Sequence, residues 1–146
     1  MSLRDGTKKM SKSDASDASR INLTDTKEEI SNKIKKAKTD PHPLPSTLQE
    51  LKDRPEAHNL LSIYSSLSDQ NLEKVLKEFS GKGFSYFKPK LIDLAVETLN
   101  PISLEMRNLL KDTNQIDKIL KNGAQKAKEI AEPVLKDIKN LVGFVN

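Results

Sequence analysis

Apolar residues recur at helical spacing over most of this chain, with polar residues between them. The first such stripe is Ile30, Ile34 and Ala37, which is typical of a helix with one thin buried face. Asp25, with Glu28 three residues later, predicts the N-cap of this helix. Residues before Asp25 show no sustained periodicity, which favours a flexible loop and linker there.

A proline-rich connector comes next, and three further helices are predicted after it. Residues 40–45 cannot be helical, because each proline removes a backbone donor and restricts the residue before it. Pro55 suits the first turn of the next helix, and Ser68 is expected to cap the one after it. A third helix should start at Ser85 and kink or end at Asn100–Pro101. After that point a helical stripe is predicted to continue to Asp112 through Ile102, Met106, Leu109 and Leu110. The residues predicted to form the buried faces are Leu60, Leu61, Tyr64, Leu67, Leu72, Val75, Leu76, Phe79, Phe84, Tyr86, Phe87, Leu91, Leu94, Ala95 and Leu99.

The longest periodic stretch predicts a final helix from about Asn114 to Val142. A helix of about 29 residues is about 43 Å long at 1.5 Å per residue, which is longer than a small bundle needs. Part of its apolar face is therefore expected to dock on something outside the bundle. That face consists of Ile116, Ile119, Leu120, Ala124, Ala127, Ile130, Ala131, Leu135, Ile138 and Leu141.

Together these patterns predict an all-α fold, a helical bundle preceded by a flexible loop. Strands and helices do not alternate along the chain, so no nucleotide-binding α/β domain is expected within it. The predicted organisation is a loop and linker at residues 1–24, a connecting basic helix at 25–40, a helical bundle at 41–112 and a long C-terminal helix at 113–146.

Composition and charge narrow the class of protein. The 146 residues suffice for one domain with a real core. The absence of cysteine excludes disulfides and thiolate metal sites, and it is compatible with a reducing cytoplasm. A net charge of +4 permits contact with nucleic acid but does not require it. The two histidines, His42 and His58, are read as surface residues without a metal role, and neither a membrane span nor an apolar signal core is found.

The candidate chemistry lies in Lys9-Met10-Ser11-Lys12-Ser13, hereafter the signature loop. Its two lysines can meet phosphate oxygens, and its hydroxyls and backbone N–H groups can donate hydrogen bonds to the same anion. From these five residues alone, a solvated basic loop without a ligand is the alternative interpretation.

The signature loop resembles the KMSKS loop of class I aminoacyl-tRNA synthetases. Ser19–Asp25 and Lys33–Asp40 resemble the segment after that loop in bacterial-type tryptophanyl-tRNA synthetases, and residues 141–145 resemble the end of that family. The resemblance extends from Leu3 to the end of the chain. It departs from the family pattern at Ala15, where family members often have proline.

The resemblance implies the C-terminal part of such an enzyme, from the signature loop through a helical domain of the anticodon-binding type. Lys12 would be the catalytic residue, stabilising charge on the departing pyrophosphate. Lys9, Met10, Ser11, Lys12 and Ser13 would bind ATP, whose Mg²⁺ is carried by the nucleotide. No metal ligand and no membrane contact are implied, and no residue is identified as contacting the anticodon.

The parent enzyme implied by the resemblance activates L-tryptophan with ATP and transfers it to tRNA(Trp). It would be a cytoplasmic homodimer. The tryptophan pocket is not found in this sequence, so the chain alone is expected to be inactive.

Two other functions remain open on the residues themselves. A free-standing helical RNA-binding module would place Lys33, Lys35, Lys36 and Lys38 along a phosphate backbone. The same four lysines also suit the negative end of a helix dipole. A helical adaptor would instead use the long last helix to bind a partner protein.

Overall fold

The computed structural model describes residues 1–144 and divides the chain into two compact units, Met1 to Glu105 and Met106 onward. Val145, the last residue of the C-terminal resemblance, lies outside the described residues. The elements are a short 3-10 helix (Asp17–Ser19), α1 (Lys27–Lys36), α2 (Leu48–Leu51), α3 (Pro55–Leu67), α4 (Leu72–Phe79), α5 (Phe84–Lys111) and α6 (Thr113–Leu141).

The N-cap of α1 is Thr26, so the prediction of Asp25 was wrong by one residue. The Thr26 hydroxyl accepts a hydrogen bond from the backbone N–H of Glu29 at 3.2 Å. In return, the Glu29 carboxylate accepts from the Thr26 N–H at 2.7 Å. This reciprocal capping box satisfies two donors that a helix start otherwise leaves free. Asp25 is therefore available for other contacts.

Helices α3 and α4 pack against each other as a helical hairpin. Pro55 occupies the first turn of α3, as expected from its fixed backbone angle. The predicted cap at Ser68 was wrong, because Ser68 ends α3. Asn71 caps α4 instead, its side chain accepting from the N–H of Lys74 at 2.8 Å.

An aromatic cluster lies at the centre of the first unit. The centroid of the Phe79 ring lies 4.9 Å from those of the Tyr64 and Phe87 rings, and Phe79 meets both rings edge to face. This is a favourable arrangement of aromatic quadrupoles. Phe84 and Phe87 are buried, whereas Tyr86, also predicted to be buried, is 51 % exposed. Phe84 and Phe87 share a face of α5 because they are three residues apart, and Tyr86 lies off that face.

Helix α5 contains Pro89 and Pro101 and still extends from Phe84 to Lys111. The helix thus does not end at Asn100–Pro101, which was one of the two predicted outcomes, and the stripe predicted beyond the proline lies within the same helix. Ala95 is buried before Pro101 and Ser103 after it, and the Ser103 hydroxyl donates to the Asp25 carbonyl at 2.5 Å. Contacts on both sides of the proline offset its local cost.

The second unit contains α6, whose bounds match the predicted 114–142 to within one residue. The Asp112 side chain caps it by accepting from the Gln115 N–H at 3.2 Å. No residue of α6 is buried, and Leu141 is 86 % exposed. The expectation that this apolar face docks elsewhere stays a prediction. Within residues 1–144, no helix is both long and apolar enough to cross a membrane.

The N-terminal segment contributes residues to the buried core of the first unit. Ser2, Leu3 and Ser19 are buried. The Leu3 N–H donates to the Ser19 carbonyl at 2.9 Å, and the Leu3 carbonyl accepts from the Lys38 N–H at 2.8 Å. These hydrogen bonds could not be predicted from the sequence, because backbone contacts between distant segments leave no mark on hydrophobic periodicity.

Replacing Gly6 by alanine is expected to destabilise the first unit by about 1–3 kcal/mol. A Cβ atom at Gly6 would lie 2.5 Å from the backbone carbonyl carbon and oxygen of Pro55, so one of the two segments has to move. Urea denaturation monitored by circular dichroism measures the change in the free energy of unfolding. Gly123→Ala is the control, since nothing lies within 4 Å of a Cβ there, and it should leave stability unchanged or raise it. Equal effects of the two substitutions would contradict the close approach.

Candidate nucleotide-binding loop

The signature loop lies on the surface of the first unit, with all of its residues, 9–13, exposed. The hydroxyls of Ser11 and Ser13 are 3.1 Å apart, and the Ser13 N–H donates to Ser11 Oγ at 3.3 Å. Over residues 1–144, neither Lys9 nor Lys12 forms an ion pair. Two ammonium groups and two hydroxyls are therefore accessible to an anion.

A tight turn leads into the signature loop. Asp5 Oδ1 accepts from the Thr7 N–H at 3.1 Å and from the Thr7 hydroxyl at 2.6 Å. These hydrogen bonds from Thr7 lower the pKa of Asp5 below its ordinary value. The Ser2 N–H also donates to the Lys8 carbonyl at 2.9 Å. The loop therefore begins from a turn tied to the buried N-terminal segment.

The guanidinium of Arg20 contacts the backbone of the signature loop and of the residue just after it. Its Nη1 donates to the carbonyl of Ser11 at 3.4 Å and to that of Asp14 at 3.3 Å. Nη2 lies 3.1 Å from Asp17 Oδ1, and Nε donates to Asn22 Oδ1 at 3.3 Å. One side chain thus connects the loop to the 3-10 helix and to the segment before α1.

Lys33 of α1 holds this arrangement from inside the protein. Its Nζ lies 2.6 Å from Asp17 Oδ2 and 2.6 Å from Asp25 Oδ2, and its side chain is 9 % exposed. Burial by itself lowers the pKa of Lys33, but hydrogen bonds with the two carboxylates outweigh burial and raise it. The bonds from Lys33 and Asn22 lower the pKa of Asp17. Lys33 and Asp17 therefore carry opposite charges at neutral pH.

Only part of the predicted basic face of α1 is available to a phosphate backbone. Lys33 is buried among carboxylates, and Lys38 Nζ lies 2.9 Å from Glu56 Oε1. Lys35 and Lys36 are exposed. Two of the four lysines that the RNA-binding alternative requires thus have acidic partners within the protein.

Sequence reasoning missed the network of Arg20, Asp17, Asp25 and Lys33, although one signal for it was present. Lys33 is three residues after Ile30 and therefore lies at the edge of the buried stripe of α1. A lysine at such a position needs carboxylate partners. Which carboxylates it meets depends on the tertiary fold.

The two histidines lie on the surface of the protein. His42 and His58 are exposed. Among residues 1–144, no group of three or more His, Cys, Asp or Glu side chains could hold a metal ion.

Comparison with known proteins identifies the family. The model for "tRNA synthetases class I (W and Y)" matches residues 1–100. The tryptophan–tRNA ligase of Rhizobium meliloti is 57 % identical over 145 residues, which are 99 % of this chain and 41 % of that protein. The ligase of Caulobacter vibrioides is 56 % identical over 144 residues, 99 % of this chain and 42 % of its own length.

A solved structure is similar over the whole chain. The tryptophanyl-tRNA synthetase from Mycoplasma pneumoniae has a TM-score of 0.72 at 27 % identity and covers 100 % of this chain and 45 % of its own. The chain thus spans about two-fifths of the length of the relatives it matches.

The domain assignment drawn from the sequence has to be corrected. The described residues are helical, but the family model and the solved structure represent the class I catalytic domain, not an anticodon-binding domain. Helical periodicity failed here because it reports which residues are buried, not the domain to which the helices belong. The predicted family itself is confirmed. With a family match over residues 1–100 of 146, the chain belongs to the class I tRNA synthetases of the W and Y group.

Proposed function

We propose that this chain is the part of a tryptophan–tRNA ligase that places the signature loop over ATP. The observation that carries the proposal is its 57 % identity, over 99 % of the chain, to the tryptophan–tRNA ligase of Rhizobium meliloti. The tryptophan pocket is assigned to the part of the ligase outside this sequence. The chain by itself is therefore proposed to be inactive.

In the proposed reaction, a carboxylate oxygen of L-tryptophan attacks the α-phosphorus of ATP. The bond from that phosphorus to the bridging oxygen breaks, and pyrophosphate leaves. The tryptophanyl group then passes from the adenylate to the 3′ end of tRNA(Trp), releasing AMP. Mg²⁺ enters with the nucleotide phosphates. Negative charge grows on the pyrophosphate in the transition state, so a cation placed there accelerates the first step.

Lys12 is the residue assigned to that charge, with Lys9 as a second cation on the phosphates. Ser11 and Ser13 donate hydroxyl hydrogen bonds to phosphate oxygens, and Met10 completes the ATP-binding loop. Because neither lysine has a carboxylate partner in the structure over residues 1–144, no ion pair has to break when phosphate arrives. The loop acts by electrostatic stabilisation and not by proton transfer.

The ligase is proposed to be a cytoplasmic homodimer that binds tRNA(Trp), ATP and L-tryptophan. These assignments rest on the names of the relatives and on the resemblance in the sequence.

Tryptophan-dependent exchange of pyrophosphate into ATP tests the proposal in a full-length ligase that contains this sequence. We expect exchange with tryptophan at a rate far above that with tyrosine. Tyrosine is the informative competitor because the matching family model covers both the W and the Y enzymes. Equal exchange with tyrosine, or no exchange with either amino acid, would refute the assignment.

A further inference from the structure

Arg20 lies where it can set the conformation of the signature loop. Its Nη1 donates to the carbonyls of Ser11 and Asp14 at 3.4 and 3.3 Å. Lys12 and Ser13 are the two residues between these carbonyls in the chain. The Asp14 N–H also donates to the Ser11 carbonyl at 3.3 Å, which closes a turn around the same two residues. Arg20 therefore holds both ends of the turn that presents Lys12.

The guanidinium of Arg20 is also held by acidic and amide groups outside the signature loop. Its Nη2 lies 3.1 Å from Asp17 Oδ1, and its side chain is 18 % exposed. Asp17 Oδ2 lies 2.6 Å from the buried Nζ of Lys33, and Asp17 Oδ1 also accepts from Asn22 Nδ2 at 2.9 Å. Contacts thus run continuously from a buried lysine of α1 through Asp17 and Arg20 to the loop.

The donor–acceptor distances differ along this series of contacts. Those between Lys33 and its carboxylates are 2.6 Å, slightly below the usual range of about 2.7–2.9 Å for charged pairs. Those from Arg20 to the two loop carbonyls are 3.3 and 3.4 Å, longer than the usual N–H···O distance of about 2.9 Å. The distance from Arg20 to Asp17 is 3.1 Å, so the series runs from short contacts at Lys33 to a long contact with the loop. Such a contact can shorten when the loop closes over a ligand.

Only an arginine can make all of these contacts at once. The three guanidinium nitrogens lie in one plane and contact two carbonyls, a carboxylate and an amide oxygen. This arrangement matches the rigid, planar set of donors in arginine. A lysine keeps the positive charge but has a single nitrogen. Because the guanidinium nitrogens all have acceptors within the protein, Arg20 is directed at the loop and not at the phosphates.

We propose that Arg20 is a positioning residue that places Lys12 for the transition state of adenylate formation. The inference rests on the proposed function of the signature loop. It predicts that Arg20 acts through Lys12, so its contribution should disappear when Lys12 is removed.

A double-mutant cycle in a full-length ligase that contains this sequence tests the inference. Arg20→Lys is expected to lower kcat of tryptophan-dependent pyrophosphate exchange about tenfold, with less than a twofold change in the KM for tryptophan. In the Lys12→Ala background the same substitution should change kcat less than about twofold. Asp17→Asn, which weakens the anchor of Arg20, should show the same pattern and provides a second variant if Arg20→Lys folds poorly.

Arg54→Lys is the matched control. Arg54 also spreads its guanidinium over a carboxylate and two carbonyls, those of Asp40, Pro43 and His42, but it does not contact the signature loop. This variant should keep wild-type kcat even if its melting temperature falls. A general loss of stability would instead lower activity in both arginine variants.

The outcomes separate this inference from the proposed function. An active wild type in which the Arg20→Lys and Lys12→Ala effects multiply would overturn the role of Arg20 alone. So would an Arg20→Lys enzyme with wild-type kcat. A wild type that exchanges pyrophosphate with neither amino acid would overturn the proposed function, and the inference with it.

Discussion

Replacing Lys12 by alanine in a full-length ligase that contains this sequence is expected to lower the rate of tryptophanyl adenylate formation about a hundredfold. Negative charge grows on the leaving pyrophosphate between bound ATP and the transition state, so the ammonium of Lys12 is expected to stabilise the transition state more than the ground state. Loss of one such contact costs roughly 3 kcal/mol of transition-state stabilisation. Tryptophan binding should hardly change, because the tryptophan pocket is assigned to another part of the enzyme.

Single-turnover adenylate formation, measured beside equilibrium tryptophan binding, separates the two effects. Lys90→Ala is the matched control, since Lys90 is also exposed but lies in α5, and its rate should equal that of the wild type. An unchanged rate for Lys12→Ala would remove Lys12 from the catalytic assignment. A rate loss explained entirely by weaker tryptophan binding would assign Lys12 to ground-state binding instead.

Truncation of Phe87 to alanine is expected to lower the free energy of unfolding by about 3–5 kcal/mol. Its ring is fully buried and meets the Phe79 ring edge to face at 4.9 Å. Alanine would leave a cavity at the point where α5 meets the hairpin of α3 and α4. The loss is a large fraction of the stability of a typical small domain.

Urea denaturation of the 146-residue chain, followed by circular dichroism, measures the change. Tyr86→Ala is the control within the same turn of α5. Tyr86 is 51 % exposed. Lys82 Nζ lies 5.6 Å from the centroid of its ring, and the Phe79 ring centroid lies 6.5 Å away. Loss of the Tyr86 side chain should therefore cost no more than about 1 kcal/mol of unfolding free energy. Equal destabilisation by the two truncations would show that the core is not arranged as described.

Local chemistry was sufficient to predict several helix boundaries. Pro55 at the start of α3 was predicted because its ring fixes the backbone angle of a first helical turn. The bounds of α6 were predicted to within one residue, because an apolar stripe with a helical period along its whole length marks where the helix begins and ends. At Pro101 the helix was predicted to kink or end, but α5 continues through it, and the contact of Ser103 with Asp25 lies beyond the proline.

The family, but not the domain, could be read from the sequence. The signature loop and the stretch after it are contiguous in the chain, so the resemblance needed no tertiary information. The assignment to an anticodon-binding domain relied on helix content, and it was wrong because helical bundles of similar pattern occur in domains of different function.

By itself, the sequence determined the helical periods, the proline start of α3 and the charged loop that carries the candidate chemistry, because each depends on residues a few positions apart. The tertiary structure alone decided what holds that loop. The sequence does not show which groups Lys33 and Arg20 meet. Folding places Asp17 and Asp25 2.6 Å from the Lys33 ammonium and two loop carbonyls within 3.4 Å of the Arg20 guanidinium. The physical reason is that a buried charge is stabilised by the partners that surround it in space.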